Sequence, residues 1–224
     1  MFTGIVESAV PIAKVEDRPG GRRIVLAHRW GDEQHGESVA VNGCCLTVAA
    51  ILDDGLAFDA IKETLDKTNL GALRAGDRVH VERSLTPTSR IDGHFVQGHV
   101  DGRAELVDRV ASDAEWRFTL RPPAALMPFV FPKGSVCLDG VSLTVAALAS
   151  DTFDVALIPT TLQKTAFAER EVGWRFNFEA DVLAKGVVHT LRQMLGGAEE
   201  SAAALSGGGV LDMIRGPRRI EERP

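Results

Sequence analysis

The side chains of this sequence best suited to chemistry sit in three short stretches. Asn42-Gly43-Cys44-Cys45-Leu46-Thr47-Val48 sets a thiol near a hydroxyl, and Asp139-Gly140-Val141-Ser142-Leu143-Thr144-Val145 carries a carboxylate and two hydroxyls. Gly93-His94-Phe95-Val96-Gln97-Gly98-His99-Val100-Asp101-Gly102 holds two imidazoles among glycines. A thiolate is a nucleophile and a metal ligand, and an imidazole titrates near neutral pH and can move protons. The metal reading finds no support in spacing: the three cysteines are Cys44, Cys45 and Cys137, an odd count without a CxxC. His94 and His99, five apart, fall on opposite faces of a regular strand and cannot share one metal. A hydrogen-bonded structural role is the commoner fate of a lone histidine, but flanking glycines let a backbone approach a ligand closely.

The first two stretches are copies. Residues 42–50 return as 139–147 at an offset of 97, and the offset holds without a gap through Thr64-Leu65, Lys67-Thr68, Gly76 and Glu82 against Thr161-Leu162, Lys164-Thr165, Gly173 and Glu179. From Gly43 to Glu82, 15 of 40 positions are identical, which points to a duplicated unit and two domains, not a solenoid of short repeats. Phe2 to Glu7 resembles Val96 to Asp101, with Gly4 on Gly98 and Val6 on Val100, so each copy is expected to open on such a strand. Two copies sharing a scaffold agree where the fold needs them, as at Gly43 and Gly140, where a turn requires positive φ. They differ beside those glycines: Asn42 becomes Asp139, and Cys45 becomes Ser142. Either these half-buried strand positions drifted neutrally, or two similar pockets took separate roles.

Within one copy the pattern is mainly β. Ser38–Val41 and Cys45–Ala49 flank the Asn42-Gly43 turn dipeptide, Leu56–Ile61 alternates, and Arg78–Glu82 alternates after the Arg74–Asp77 turn; Thr64–Leu73 has helical spacing. Short strands with regular turns imply a small closed barrel, which removes exposed edges. Leu183, Val187, Leu191 and Leu195 stripe one face of a helix, suited either to docking on its own barrel or to pairing between chains. The boundaries expected are 1–97, 98–195 and a flexible tail over 196–224. The chain carries 31 acidic against 25 basic residues, a net charge of −6, which gains nothing from phosphate counterion release, so nucleic acid is not the expected partner. No apolar run reaches membrane-spanning length, and the first residues lack a secretory pattern. A cytoplasmic protein, with no membrane partner, is expected.

The opening Met1-Phe2-Thr3-Gly4-Ile5-Val6-Glu7, the 42–48 and 139–145 blocks, Lys62-Glu63-Thr64-Leu65, Thr68-Asn69-Leu70-Gly71, Gly93-His94, Gly98-His99-Val100 and Lys133-Gly134 together resemble riboflavin synthase, in order and at family spacing from Met1 to about Leu195. The resemblance implies two tandem six-stranded Greek-key β-barrels with a C-terminal α-helix. It also implies a cofactor-free dismutation: two 6,7-dimethyl-8-ribityllumazine molecules exchange a four-carbon unit, giving riboflavin and 5-amino-6-ribitylamino-uracil. The family is a homotrimer, with the N-terminal barrel of one chain facing the C-terminal barrel of its neighbour.

Carried over by position, the resemblance puts Gly4, Ile5, Val6, Cys45, Leu46 and Thr47 in a first pocket, with Asp59, Ala60, Ile61, Lys62, Glu63 and Thr64 closing it. It puts Gly98, His99, Val100, Lys133, Ser142, Leu143 and Thr144 in a second, closed by Ala156, Leu157, Ile158, Pro159, Thr160 and Thr161. The catalytic candidates it implies are Ser38, Cys45, His94, His99, Asp139, Ser142 and Asp181. One lumazine must lose a proton from its C7 methyl, for which His99 or a substrate hydroxyl suits better than a serine, and the other must accept a nucleophile at C7, which Cys45 could supply or stabilise. No cofactor and no metal are implied. Asp92 and Thr160 depart from the family, which usually has a glycine and a glutamate there. A non-catalytic lumazine- or flavin-binding antenna protein of the same fold is the nearest alternative; a flavin-reductase-type barrel is disfavoured because no glycine-rich nucleotide fingerprint follows a strand.

Overall fold

A computed structural model describes residues 1–112 and 115–202. Strands β1 (Ser8–Arg18), β2 (Gly21–Leu26), β3 (Ser38–Val41), β4 (Cys44–Ile51), β5 (Leu56–Ile61) and β6 (Arg78–Arg83) close an antiparallel barrel in the order β1-β2-β5-β4-β3-β6. Strands β7 (Gly102–Ala111), β8 (Trp116–Arg121), β9 (Ser135–Leu138), β10 (Val141–Leu148), β11 (Phe153–Leu157) and β12 (Arg175–Ala180) close a second in the same cyclic order. In each barrel the second strand pairs with the fifth, the crossover of a Greek key. The duplication read from sequence is therefore a duplication of topology.

Alternation along the strands sorts core from surface. Val39, Val41, Leu46, Val48 and Phe58 fill the first barrel with Ile24, Val79 and Val81; Leu138, Leu143, Val145, Phe118, Phe176 and Phe178 fill the second. Each such side chain contributes about 1.5–3 kcal/mol on burial. The expected Thr64–Leu73 helix is shorter and earlier: α1 runs Lys62–Lys67, the chain breaks at Thr68, and a separate 3-10 turn covers Asn69–Gly71. The break is chemical, since the Thr68 hydroxyl donates to the Thr64 carbonyl and accepts from the Leu70 amide, offering the backbone a turn in place of the next helical bond. Its counterpart α2 spans Pro159–Lys164.

The expected opening strands are absent as such. Residues before β1 and β7 form crossing segments, joined by a single Phe2–Val96 bridge. Both barrels belong to one compact unit, Met1–Ala184, and Lys185 begins a second. Helix α3 runs Val182–Ala202, past the end expected at Leu195; residues 203–224 of the expected tail lie outside the described residues.

The barrels join where their β3–β4 and β9–β10 turns meet back to back. Asn42 and Asp139 hold φ of 45° and 44°, followed by Gly43 and Gly140 at 71° and 85°, the two positive values a two-residue hairpin turn requires. A methyl group on Gly43 would stand 2.5 Å from the Gly140 nitrogen, so neither turn tolerates a side chain there. Around them runs a mirrored buried network. The Asn42 side-chain oxygen accepts from the His80 amide at 2.8 Å, as Asp139 Oδ1 accepts from Asn177 at 2.7 Å. Asn177 Nδ2 donates to the Asn42 carbonyl and its Oδ1 accepts from the Asn69 amide. His80 Nδ1 likewise bonds the Asp139 carbonyl at 2.8 Å, and its Nε2 faces the Ala166 amide at 2.8 Å. These partners dictate a neutral ring with the proton on Nδ1, because a backbone N–H can only donate to Nε2.

Burial pushes the His80 pKa down to about 4, against the pull of the Asp139 carbonyl. In the unfolded chain the imidazole protonates near its ordinary 6.5, so the stability that neutral His80 contributes is complete above that pH and is lost as pH falls towards 4. Burial pushes Asp139 up to about 7, against its amide donors and Arg170, so its contribution runs the other way and is lost as pH rises. His80→Gln can keep both hydrogen bonds without a titrating group. The difference in unfolding free energy between wild type and H80Q, measured in urea, is expected to shift against the wild type by about 3 kcal/mol between pH 6.5 and pH 4; parallel curves would remove His80 from this account.

Candidate active site

Each barrel opens beside its central hairpin. Strand β4 pairs with β5 only from Val48–Phe58 to Ile51–Leu56, across a bulge. Beyond Phe58, Asp59–Ile61 pair with β2 alone, while Cys44–Thr47 pair with β3. The strands part there, and the β5 main chain loses its ladder partner on that side. The second barrel parts in the same way after Val145–Val155, where Ala156 and Leu157 pair with β8 alone. A free strand edge of this kind offers N–H and C=O groups to a planar ligand with alternating donors and acceptors. Ile61 and Ile158, equivalent in the repeats, stand 62% and 59% exposed at these openings, an apolar pad beside a polar edge.

Side-chain direction divides the expected site residues. Cys45 is half-buried and Thr47 exposed on the outer face of β4, as are Ser142 and Thr144 on β10, and Ser38 sits opposite Thr47 in the β3–β4 register. Leu46, Ala60, Leu143 and Leu157 point into the cores and can offer a ligand only their main chain. Ala156 is half-buried, as are Thr64 and Thr161 at the helical closures, whereas Pro159 and Thr160 are exposed. Asp59 is held by Arg23 at 2.5 Å, and Lys62 and Glu63 pair with Asp66 and Lys67 on exposed α1; these surface pairs are weak enough to exchange for another partner. Lys133 adopts φ 65° where the first repeat has Gly36 at 86°. A lysine held in the left-handed region costs backbone energy that the glycine of the first repeat avoids.

The crossing segments are exchanged relative to the sequence expectation. Gly4, Ile5 and Val6 were expected beside Cys45, but the Gly4 carbonyl accepts from the Ser142 amide at 2.7 Å, and Val6 joins the second core. Gly98 and Val100, expected beside Ser142, instead serve the first barrel: the Gly98 carbonyl accepts from the Cys45 amide at 2.9 Å, and Val100 packs on the first core. The contacts are close. A methyl on Gly4 would lie 2.6 Å from Ser142 Cβ, and one on Gly98 2.6 Å from Cys45 Cβ. Exposed His99 follows Gly98 and so belongs with the Cys45 side.

His94 reaches Ser142, its Nδ1 lying 2.7 Å from the hydroxyl oxygen, while its buried Nε2 has no partner among the described residues. Burial lowers the His94 pKa and the Asp181 charge opposes this, so the imidazole is neutral at pH 7 and able to take a proton. Asp181 also accepts the Leu183 amide at 2.8 Å at the start of α3. His94 and Ser142 thus form a bonded pair, and the Asp181 charge acts on the imidazole. Asp139 does not join them. Its side chain is fully buried between the barrels, accepting from Asn69, Asn177 and Trp174, which makes it a structural carboxylate out of reach of a ligand in solvent. Sequence reasoning passed over Glu82 and Glu179, which bind the crossing segments from within the barrels; the available signal was an acidic residue identical in both repeats.

A lumazine binding domain family model matches residues 3–84 and again 97–181. Over 198 residues the chain is 43% identical to riboflavin synthase of Mycobacterium tuberculosis (strain ATCC 25618 / H37Rv), covering 86% of this chain and 98% of that protein. The chain belongs to the riboflavin synthase family. It is also 37% identical to riboflavin synthase of Escherichia coli (strain K12), over 90% of this chain and 96% of that one. The fold is shared with a crystal structure of LumP complexed with riboflavin, at a TM-score of 0.76 and 22% identity, over 80% of this chain and 99% of the other.

Gly4→Ala and Gly98→Ala each add a side chain at φ of 75° or 77° against a strand. Each is expected to lower unfolding free energy by about 2 kcal/mol or more, from backbone strain plus overlap. Wild-type urea midpoints would show that the segments can leave Ser142 and Cys45 freely.

Proposed function

We propose that the chain acts as a riboflavin synthase, holding one 6,7-dimethyl-8-ribityllumazine at the open strand edge of each barrel. The observation that carries this reading is the pairing of two equivalent openings with 43% identity to a riboflavin synthase along 98% of its length. The reaction needs two copies of one molecule brought face to face, and binding both replaces an improbable bimolecular encounter with a fixed geometry. Net transfer of four carbons turns one lumazine into riboflavin and leaves the other as the diaminouracil, so no outside oxidant is required.

The two openings differ where the chemistry must differ. Neutral His94, bonded to Ser142 beside Asp181, is a base for the second pocket, and Cys45 with His99 serves the first, with Ser38 and Thr47 beside them. Main-chain groups of Asp59–Ile61 and Ala156–Leu157 read the pteridine edge, and Lys133 reaches ribityl hydroxyls. The reacting pair forms between chains of a homotrimer, the first barrel of one facing the second of its neighbour. Leu183, Val187, Leu191 and Leu195 on α3, all more than half exposed, offer an apolar stripe for that association. The three cysteines are free thiols, which fits a reducing cytoplasm.

Purified protein mixed with the lumazine is expected to consume two molecules for each riboflavin formed, read from flavin absorbance. Tight binding without turnover would overturn the reading in favour of a lumazine antenna. Cys45→Ala and Ser142→Ala are each expected to lower kcat by about 100-fold. Unfolding and co-refolding the two variants together should restore part of the activity, because a mixed trimer contains one interface with both residues intact. No recovery would place the reacting pair within one chain.

A further inference from the structure

Two buried carboxylates reach the crossing segments without entering the chemistry above. Glu82 on β6 and Glu179 on β12 are 5% and 2% exposed, and each accepts from two or more main-chain amides. Glu82 accepts from the Thr3 amide at 2.7 Å, the Thr3 hydroxyl at 2.8 Å and the Gly4 amide at 3.0 Å. Glu179 accepts from the amides of Gln97 at 2.7 Å, Gly98 at 2.9 Å and His99 at 3.0 Å. Consecutive amides on one carboxylate are far more restraint than a surface loop ordinarily has, and charged hydrogen bonds are the strong class. The held residues are those that cross over: Gly4 lies on Ser142 and Gly98 on Cys45.

We propose that Glu82 and Glu179 are crosswise positioning residues, each setting the geometry of the pocket on the barrel to which it does not belong. Glu179, in the second barrel, clamps Gly98 and His99 over Cys45 in the first. Glu82, in the first barrel, clamps Thr3 and Gly4 over Ser142 in the second. Both oxygens of each carboxylate are bonded to the segment it holds, so each acts on its pocket through that segment. The consequence is a coupling of two pockets that act on two copies of one molecule: the register of each depends on the other barrel being folded. This rests on the riboflavin synthase reading for its catalytic meaning, though not for its geometry.

Thiol labelling tests it without turnover. Cys45 is half-buried and lies under Gly98, whereas Cys44 and Cys137 are 6% and 1% exposed and report general opening. In the full-length protein, Glu179→Gln is expected to raise the rate of Cys45 alkylation by iodoacetamide about tenfold, the factor for losing one charged hydrogen bond. Glu82→Gln, although on the same barrel as Cys45, is expected to change that rate by less than about twofold. Equal acceleration by both variants would overturn the crosswise assignment, and no acceleration by either would overturn positioning altogether. Should Cys44 and Cys137 become labelled as well, hydrogen exchange in the unaltered protein decides: protected amides at Gln97, Gly98 and His99 support the clamp, and open-loop rates refute it. A wild-type protein that forms no riboflavin would sink the function while leaving the labelling pattern intact.

Discussion

The contact on which the molecule depends is that of two glycine turns set back to back. Gly43 and Gly140 approach so closely that either Cβ would overlap the other backbone, and the polar groups around them are buried with full hydrogen bonding. An unpaired buried polar group costs about 1–3 kcal/mol, so the mirrored bonds of Asn42, His80, Asp139 and Asn177 are mutually obligatory. They fix the barrels in one relation. Cys45 and Ser142 follow those turns on β4 and β10, which puts both at the margin of the junction, where the crossing segments can cover them.

Duplication built the frame, and divergence within it made two sites. The frame positions are equivalent down to individual bonds: Asn177 does for Asn42 and Asn69 what His80 does for Asp139 and Ala166. The differences gather at the openings, where a thiol faces a hydroxyl, Lys133 stands for Gly36, and His94 attends Ser142. Such asymmetry suits a reaction in which two identical molecules play unlike parts. The substitution of Asp139 for Asn42 belongs to the frame and not to the openings, because its carboxylate is wholly enclosed by amide and indole donors.

Much of this was legible along the chain. Period-two alternation and turn dipeptides placed β3 to β6, because a half-buried strand writes its two faces into every second residue. The helix after the second barrel was equally readable from its four-residue stripe. Thr64–Leu73 was not, since the Thr68 hydroxyl captures backbone groups that helical spacing assigns to the helix. The residue types of the site were present in the repeat comparison, yet the two crossing segments were assigned to the wrong barrels.

The sequence by itself determined the duplication, the barrel class, the turn glycines and the inventory of reactive groups, for these rest on local patterning and on identity at a fixed offset. Tertiary structure alone decided which groups meet. Gly4 on Ser142 and Gly98 on Cys45 are contacts across a junction, and no periodicity records which way a segment leans between two barrels. It alone decided, too, that Asp139 is enclosed while His94 faces Ser142, because burial is set by what packs from elsewhere in the chain. A duplicated sequence names its pockets twice, and only the folded junction shows that each is finished by the other half.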